Sequence, residues 1–391
     1  MPEAAQAGRF LFASESVTEG HPDKLCDRVS DAVLDACLAQ DPDAQVACEA
    51  CTKAGMVMIL GDVVTKASVN YEQVIREAVK SVGYDSEEKG LDWRTMNVIV
   101  AVEEASPDLA QAITAGKASE DIGVRDQGIV FGYATDESPS MMPLSHSLAT
   151  KLCARLDKVR KDGTLGCVRP NGRAQVTVEY REEADGAVVP LRIHTVTLST
   201  HHSADVKPEE LEKDLMEQVV KPVLPEELCD ADTVYQVMAW KPVVGSAHCD
   251  AGMSGRQSVV DTYGGWASHG GSPLSGQDAS KVSRSATYGA RWAARSLVAA
   301  RFCKRCSVQL AYSPGIAQPS SVHVNSYGTA RACGKTDAEL TAIILRNFDF
   351  RPGCLQRDLS LKAPQFQKLS AYGHVGRAGF DAAWEKPKEL K

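Results

Sequence analysis

Apolar residues recur at helical spacing in several stretches of the chain. Between Asp23 and Gln40, with Pro22 just ahead, Leu25, Val29, Val33 and Cys37 share one face and predict a helix. Tyr71–Val82 predicts an amphipathic helix, with Val74, Ile75, Ala78, Val79 and Val82 on its apolar side. Leu144–Lys161 and Pro208–Val220 read as two more, the second opened by Pro208-Glu209-Glu210, as the helix dipole favours. Ser285–Arg301 is an Ala-rich fifth. Strand signals lie between them. Val46–Val64, broken at Lys53-Ala54-Gly55 and Gly61-Asp62, predicts a hairpin, and Val98–Val102 a buried strand. Ala174–Tyr180, Leu191–Thr200, Cys306–Tyr312 and Val322–Tyr327 complete the set. The order predicts an α+β chain of three units, each a sheet with helices on one face.

Charge narrows the possible partners. Among 391 residues, 51 acidic side chains outnumber 43 basic ones, for a net charge of −8. Bulk electrostatics therefore argue against nucleic acid or an anionic membrane as a partner, and a polyanion such as ATP must be held by local cations. The longest apolar runs, Met56–Leu60 and Val98–Val102, are too short to span a bilayer. Met1–Gly8 lacks the basic start of a signal peptide, and one Arg and no Ser before Phe10 make a poor organelle leader. With no export signal, the twelve cysteines are expected to be reduced, mostly buried thiols of a cytoplasmic protein. Cys48/Cys51 and Cys303/Cys306 stand too far apart for a zinc ribbon. In a strand, the spacing of Cys48 and Cys51 sends their side chains to opposite faces.

Three constellations could carry chemistry. Glu15-Ser16-Val17-Thr18-Glu19-Gly20-His21-Pro22-Asp23-Lys24 sets a His and an Asp where a helix begins, a place suited to phosphate. There His21 would assist an oxygen leaving group, and Glu15 and Asp23 would hold Mg²⁺. The simpler alternative is that Asp23 only caps the first turn. Gly123-Val124-Arg125-Asp126-Gln127-Gly128, followed by Phe131-Gly132-Tyr133-Ala134-Thr135-Asp136-Glu137, lets backbone approach a ligand, though a tight turn explains it as well. The stretch from Gly245 to Ser285 contains Asp261-Thr262-Tyr263-Gly264-Gly265-Trp266 and five glycines between positions 264 and 276. It reads as a loop over phosphates, but it lacks the Gly-Lys-Ser/Thr ending of a Walker loop.

Glu19-Gly20-His21-Pro22-Asp23-Lys24, Asp126-Gln127-Gly128, Phe131–Glu137 and Asp261–Trp266 together resemble S-adenosylmethionine synthase (methionine adenosyltransferase). So do Arg351-Pro352-Gly353 and Ala371-Tyr372-Gly373-His374-Val375-Gly376-Arg377, and the likeness runs through nearly all of the chain from Phe10. Stretches such as Lys24–Pro42 look closest to eukaryotic members. The resemblance implies three similar α+β domains around a pseudo-threefold axis, here 10–107, 123–242 and 243–386. It also implies a homodimer or dimer of dimers, with active sites drawing on both subunits. In the implied reaction, methionine sulfur attacks C5′ of ATP, and the triphosphate leaves and is cleaved to phosphate and diphosphate, with Mg²⁺ and K⁺ assisting. Such chemistry demands orientation and stabilisation of the leaving polyphosphate.

Carried over by motif, His21 matches the residue beside the O5′ leaving oxygen, Glu15 and Asp23 the magnesium-side acids, and Glu49 the potassium-site acid. Asp126 and Asp250 match acids near the nucleotide and methionine, and Arg256 and Lys281 match cations at the polyphosphate. Elsewhere the chain departs from the pattern. Asp62 and Ala105 replace a Glu and a Gln of the methionine pocket, and Asn171-Gly172-Arg173 replaces Asp-x-Lys. Lys241-Pro242 replaces an Arg-Phe pair that flanks adenine, losing a stacking surface of about 1–3 kcal/mol. Gln257 and Gln277 each stand for a Lys, Ser283 for a magnesium-side Asp, and Arg125 for a Gly. One charge-assisted bond is worth about 1.5–3 kcal/mol, and one preorganised donor roughly 10²–10³ in rate. The expectation is a homologue with impaired catalysis, kept as a structural or regulatory subunit, paired with an active synthase or built into a larger assembly. The alternative is a slow or retuned enzyme of one-carbon metabolism.

Overall fold

A computed structural model describes residues 8–104, 116–239, 248–377 and 379–391. Strand β1 (Arg9–Val17) leads into helix α1 (Pro22–Leu38), the hairpin β2 (Gln45–Lys53) and β3 (Met56–Val64), and helix α2 (Tyr71–Val82). A short hairpin of β4 (Asp85–Ser86) and β5 (Leu91–Asp92) precedes β6 (Asn97–Glu104). Then come β7 (Gly128–Thr135), α3 (Leu144–Lys161), β8 (Val168–Glu182), β9 (Val188–His202), α4 (Pro208–Leu215) and β10 (Val234–Ala239). The last third contains β11 (Gly252–Met253), α5 (Val282–Ala299), β12 (Arg305–Tyr312), β13 (Ser321–Asn325), α6 (Asp337–Asn347) and α7 (Pro352–Asp358).

These elements make three open sheets, ordered β1-β8-β9-β10, β11-β2-β3-β6 and β13-β12-β7. Each sheet takes a strand from another part of the chain. The first strand, β1, joins β8–β10; β7 joins β12 and β13; and β11 joins β2, β3 and β6. This cyclic exchange ties the three α+β domains together, and no one sheet is complete without a distant segment.

Helices cover one face of each sheet: α1 packs on β2, α3 on β8 and β1, and α5 on β7 and β12. On the hairpin, Val46, Cys48 and Ala50 alternate inward with Val57, Ile59 and Val63 of the partner strand. The opposite face stays open, and Glu49 and Asp62 point out from it. Cys48 is buried and Cys51 half-buried on the other side, as their spacing predicts, and every described cysteine is a free thiol. None of the described helices is long and apolar enough to cross a membrane. Strands β1, β7 and β10 escape the sequence pattern, as does the end of the fourth helix, where Met216–Val220 widens into a π-type turn.

Candidate active site

Two groups of the expected residues assemble on the open faces. The first lines a cavity of about 340 Å³ and includes Glu49, Asp62, Asp126 and Lys281. Register explains the two strand residues. Glu49 pairs with Leu60 and Asp62 with Ala47, so both carboxylates occupy diagonal positions on one face of the hairpin. Gly61 between them has φ 138°, and a Cβ there would meet Ala47 O at 1.9 Å, so only glycine fits. The glycine loop runs along the free edge of β2. Cys48 N–H donates to Gly276 O at 3.0 Å, Asp278 N–H to Val46 O at 3.0 Å, and Val46 N–H to Asp278 Oδ2 at 2.8 Å. That edge pairing carries Gln277 into the cavity and sets Lys281 at the start of α5, next to Ser283.

Arg125 also lines this cavity and donates to the Gln45 side-chain oxygen. Among the described residues its five charged side chains are Glu49, Asp62, Asp126, Arg125 and Lys281, and none of them forms an ion pair with another described residue. Unpaired charges of both signs in one recess are unusual unless a ligand completes them. Among the described residues, no three His, Cys, Asp or Glu side chains converge as a ready metal cage. The donor set instead fits a cation that arrives with substrate, because Mg²⁺ takes one or two carboxylates and completes its shell with water and phosphate oxygens.

The second group gathers at the N-terminus of α1, beside a cavity of about 260 Å³ lined by Asn171, Arg173 and Asp250. His21 is the capping residue. Its Nε2 lies 2.8 Å from Arg173 Nη2, and its Nδ1 lies 3.2 Å from the Asp23 N–H. Burial first, then the Arg173 charge, holds the imidazole down at about 4, so the ring is neutral at pH 7. Asp23 is buried, and both its oxygens are engaged. Oδ1 accepts the Met253 N–H at 3.1 Å, and Oδ2 accepts the Gln257 carboxamide at 2.7 Å. Arg256 lies 3.8 Å from Asp23, and Arg173 lies 3.8 Å from Asp250. Glu15 stands on the open face of β1, opposite Gln175 and diagonal to Arg173. Lys241 and Ala105 lie outside the described residues.

A buried cluster that sequence reasoning passed over supports this second group. The Lys24 ammonium donates to Asp27 at 2.9 Å and to Asp261, while Asp27 Oδ1 accepts the Gly255 N–H at 2.8 Å. Helix α1 is thereby pinned to the chain that carries Arg256 and Gln257. Lys24 and Asp261 belong to motifs already named, but nothing in the sequence joined them, and the i, i+3 spacing of Lys24 and Asp27 is one that surface helices share.

Three exchanged α+β domains carry cavities lined by acids and cations, an arrangement suited to charged small molecules. Three family models match this chain: the N-terminal domain of S-adenosylmethionine synthetase over residues 9–107, its central domain over 121–241 and its C-terminal domain over 244–386. The chain belongs to the S-adenosylmethionine synthetase family, which is a family of methionine adenosyltransferases.

Proposed function

We propose that this chain keeps the ligand-binding frame of a methionine adenosyltransferase but turns over poorly, and that it acts as a cytoplasmic homodimer or as a subunit beside an active synthase. The observation that carries this reading is the charge balance around His21. Arg173 and Arg256 each lie 3.8 Å from a carboxylate of the same group, and His21 is neutral. Among the described residues of that group each cation has a carboxylate nearby, and Gln257 contributes a neutral carboxamide where the family pattern has Lys. Glu49, Asp62 and Asp126 would hold the ammonium or cation side of the substrates, with Lys281 meeting phosphate. Mg²⁺ bound with ATP would neutralise the leaving group.

A slow enzyme is the second reading, favoured by the unpaired Lys281 in the first cavity. The assay is direct: purified protein with ATP, methionine, Mg²⁺ and K⁺, followed for S-adenosylmethionine and for phosphate. Little or no turnover is expected. The triple variant Gln257→Lys, Gln277→Lys, Ser283→Asp should recover at least about ten-fold of it. Robust turnover by the unmodified chain would overturn the impaired reading in favour of the second.

A further inference from the structure

The cavity bearing Glu49, Asp62 and Asp126 shares a wall with a neighbour. Arg125 and Ser280 line it, and the same two residues also line a second cavity of about 280 Å³. Four distant parts of the chain enclose this second space: residues 42–45 after α1, residues 122–125 before β7, residues 278–280 before α5, and residues near Gly353 and Lys362 at the α7 end. Junctions of this kind are common places for small-molecule sites.

Its acids are already committed. Asp278 Oδ2 accepts the Val46 N–H at 2.8 Å and Oδ1 the Ser280 N–H at 2.7 Å, while Asp43 accepts Lys362 at 2.6 Å. Lys362 is thus answered by a carboxylate, although that pair is exposed and weak. Arg125 is different. It forms no ion pair with a described carboxylate, and its guanidinium donates to the neutral Gln45 side chain. Beside it, the Ser280 hydroxyl is buried and has no hydrogen-bond partner. A planar guanidinium with donors to spare, an unsatisfied hydroxyl and acids turned to other work favour an oxyanion.

We propose that this second cavity is a binding site for a small oxyanion of the phosphate type, held by Arg125 and Ser280. Because one guanidinium serves both cavities, an anion bound here withdraws positive charge from the acid-bearing cavity next door. The arginine stands where the family pattern has glycine, so the site belongs to this chain and not to the family. It does not depend on the proposed turnover.

The test uses the full chain without ATP or methionine, with inorganic phosphate as the probe and calorimetry against sodium chloride of equal ionic strength. Saturable binding is expected. Arg125→Gly, which restores the family residue, should weaken it about ten-fold or more, and Ser280→Ala should weaken it several-fold. Lys281→Gln removes the cation that would meet phosphate in the first cavity, and the binding that depends on Arg125 should keep its affinity within about two-fold in that variant. Thermal melting checks that each variant is folded. Absence of binding would overturn the proposal. So would phosphate affinity that survives Arg125→Gly, or that falls with Lys281→Gln alone, which would move the anion into the first cavity.

Discussion

The Arg173 guanidinium meets the His21 imidazole with Nη2 at 2.8 Å from Nε2, and this contact decides which ring nitrogen carries the proton. Arginine has donors only, so Nε2 must accept. The Asp23 N–H also approaches Nδ1, at 3.2 Å, but a neutral imidazole has a single lone pair to give. The charge-assisted bond is the stronger claim on it. The proton then sits on Nδ1, facing Asp23 Oδ2 at 3.7 Å, and the cap that Nδ1 would make on the Asp23 N–H is given up. A ring held this way cannot donate from Nε2 to a leaving oxygen until Arg173 moves away.

The expected titration follows. Nitrogen NMR of histidine-labelled protein should find His21 protonated on Nδ1 at pH 7, with a pKa near the value of about 4 set by burial and Arg173. Arg173→Leu should raise that value toward 6.5 without reaching it, because burial remains. The sign for stability is fixed by the depressed pKa: this histidine's contribution is full above pH 6.5 and is lost as pH falls toward 4. A His21 that titrates near 6.5 in the unmodified chain would remove the argument.

Lys24 sits between two buried carboxylates, so its partners are unequal in consequence. Lys24→Met leaves Asp27 and Asp261 facing each other without a cation, at a cost of about 3–5 kcal/mol. Asp27→Asn leaves a balanced Lys24–Asp261 pair and should cost much less. Burial, with Asp261 adding to it, pushes Asp27 up to about 7 against an ordinary 3.8. The value is higher in the folded chain than in the unfolded one, so its contribution is full below pH 3.8 and is lost as pH rises through about 7. Denaturant melts across that range should be flatter in Asp27→Asn than in the parent. Equal losses in the two variants would contradict the buried-charge account.

Much of this was legible in the chain. Helices with a clean apolar face, such as Tyr71–Val82, agree with the structure at both ends, and the hairpin carrying Glu49 was marked by its glycines. Strand exchange was not legible, because β1, β7 and β11 pair with partners that local periodicity cannot see. The motifs pointed to His21, Asp23 and Lys281, but not to their division between two cavities. Arg125 stood out in sequence only as a replacement for glycine. Its place in a wall between two spaces depends on contacts with residues some 80 positions away.

The open sheet face offers a place for a second subunit. Met253, Cys51, Met58 and Ile99 stand opposite one another in a row across four strands, with Met253 46% and Ile99 43% exposed. Glu49 and Asp62 share that face, so a second copy docked there would close the first cavity. Ile99→Asp should weaken self-association by about ten-fold or more, the worth of one buried aliphatic side chain. Sedimentation velocity reads the change. If Ile99→Asp and Met58→Asp both leave the mass unchanged, this face is not where copies of the chain meet.

Gln257 offers the sharpest test of the charge balance. Its carboxamide donates to Asp23 Oδ2 at 2.7 Å without neutralising it, and Arg256, 3.8 Å away, serves as the counter-ion. A lysine at position 257 would keep the donor and add the charge. Arg256 would then be freed for a ligand, and the group would gain one net positive charge. Gln257→Lys should therefore bind tripolyphosphate about ten-fold more tightly than the parent at low salt, with the gain shrinking as salt screens it. Gln257→Met separates donor from charge: it removes the bond to Asp23 and should give no gain. Calorimetry with tripolyphosphate alone, free of turnover, distinguishes the three proteins. An affinity that is the same in Gln257→Lys as in the parent would mean that the missing cation is not what limits this half of the site.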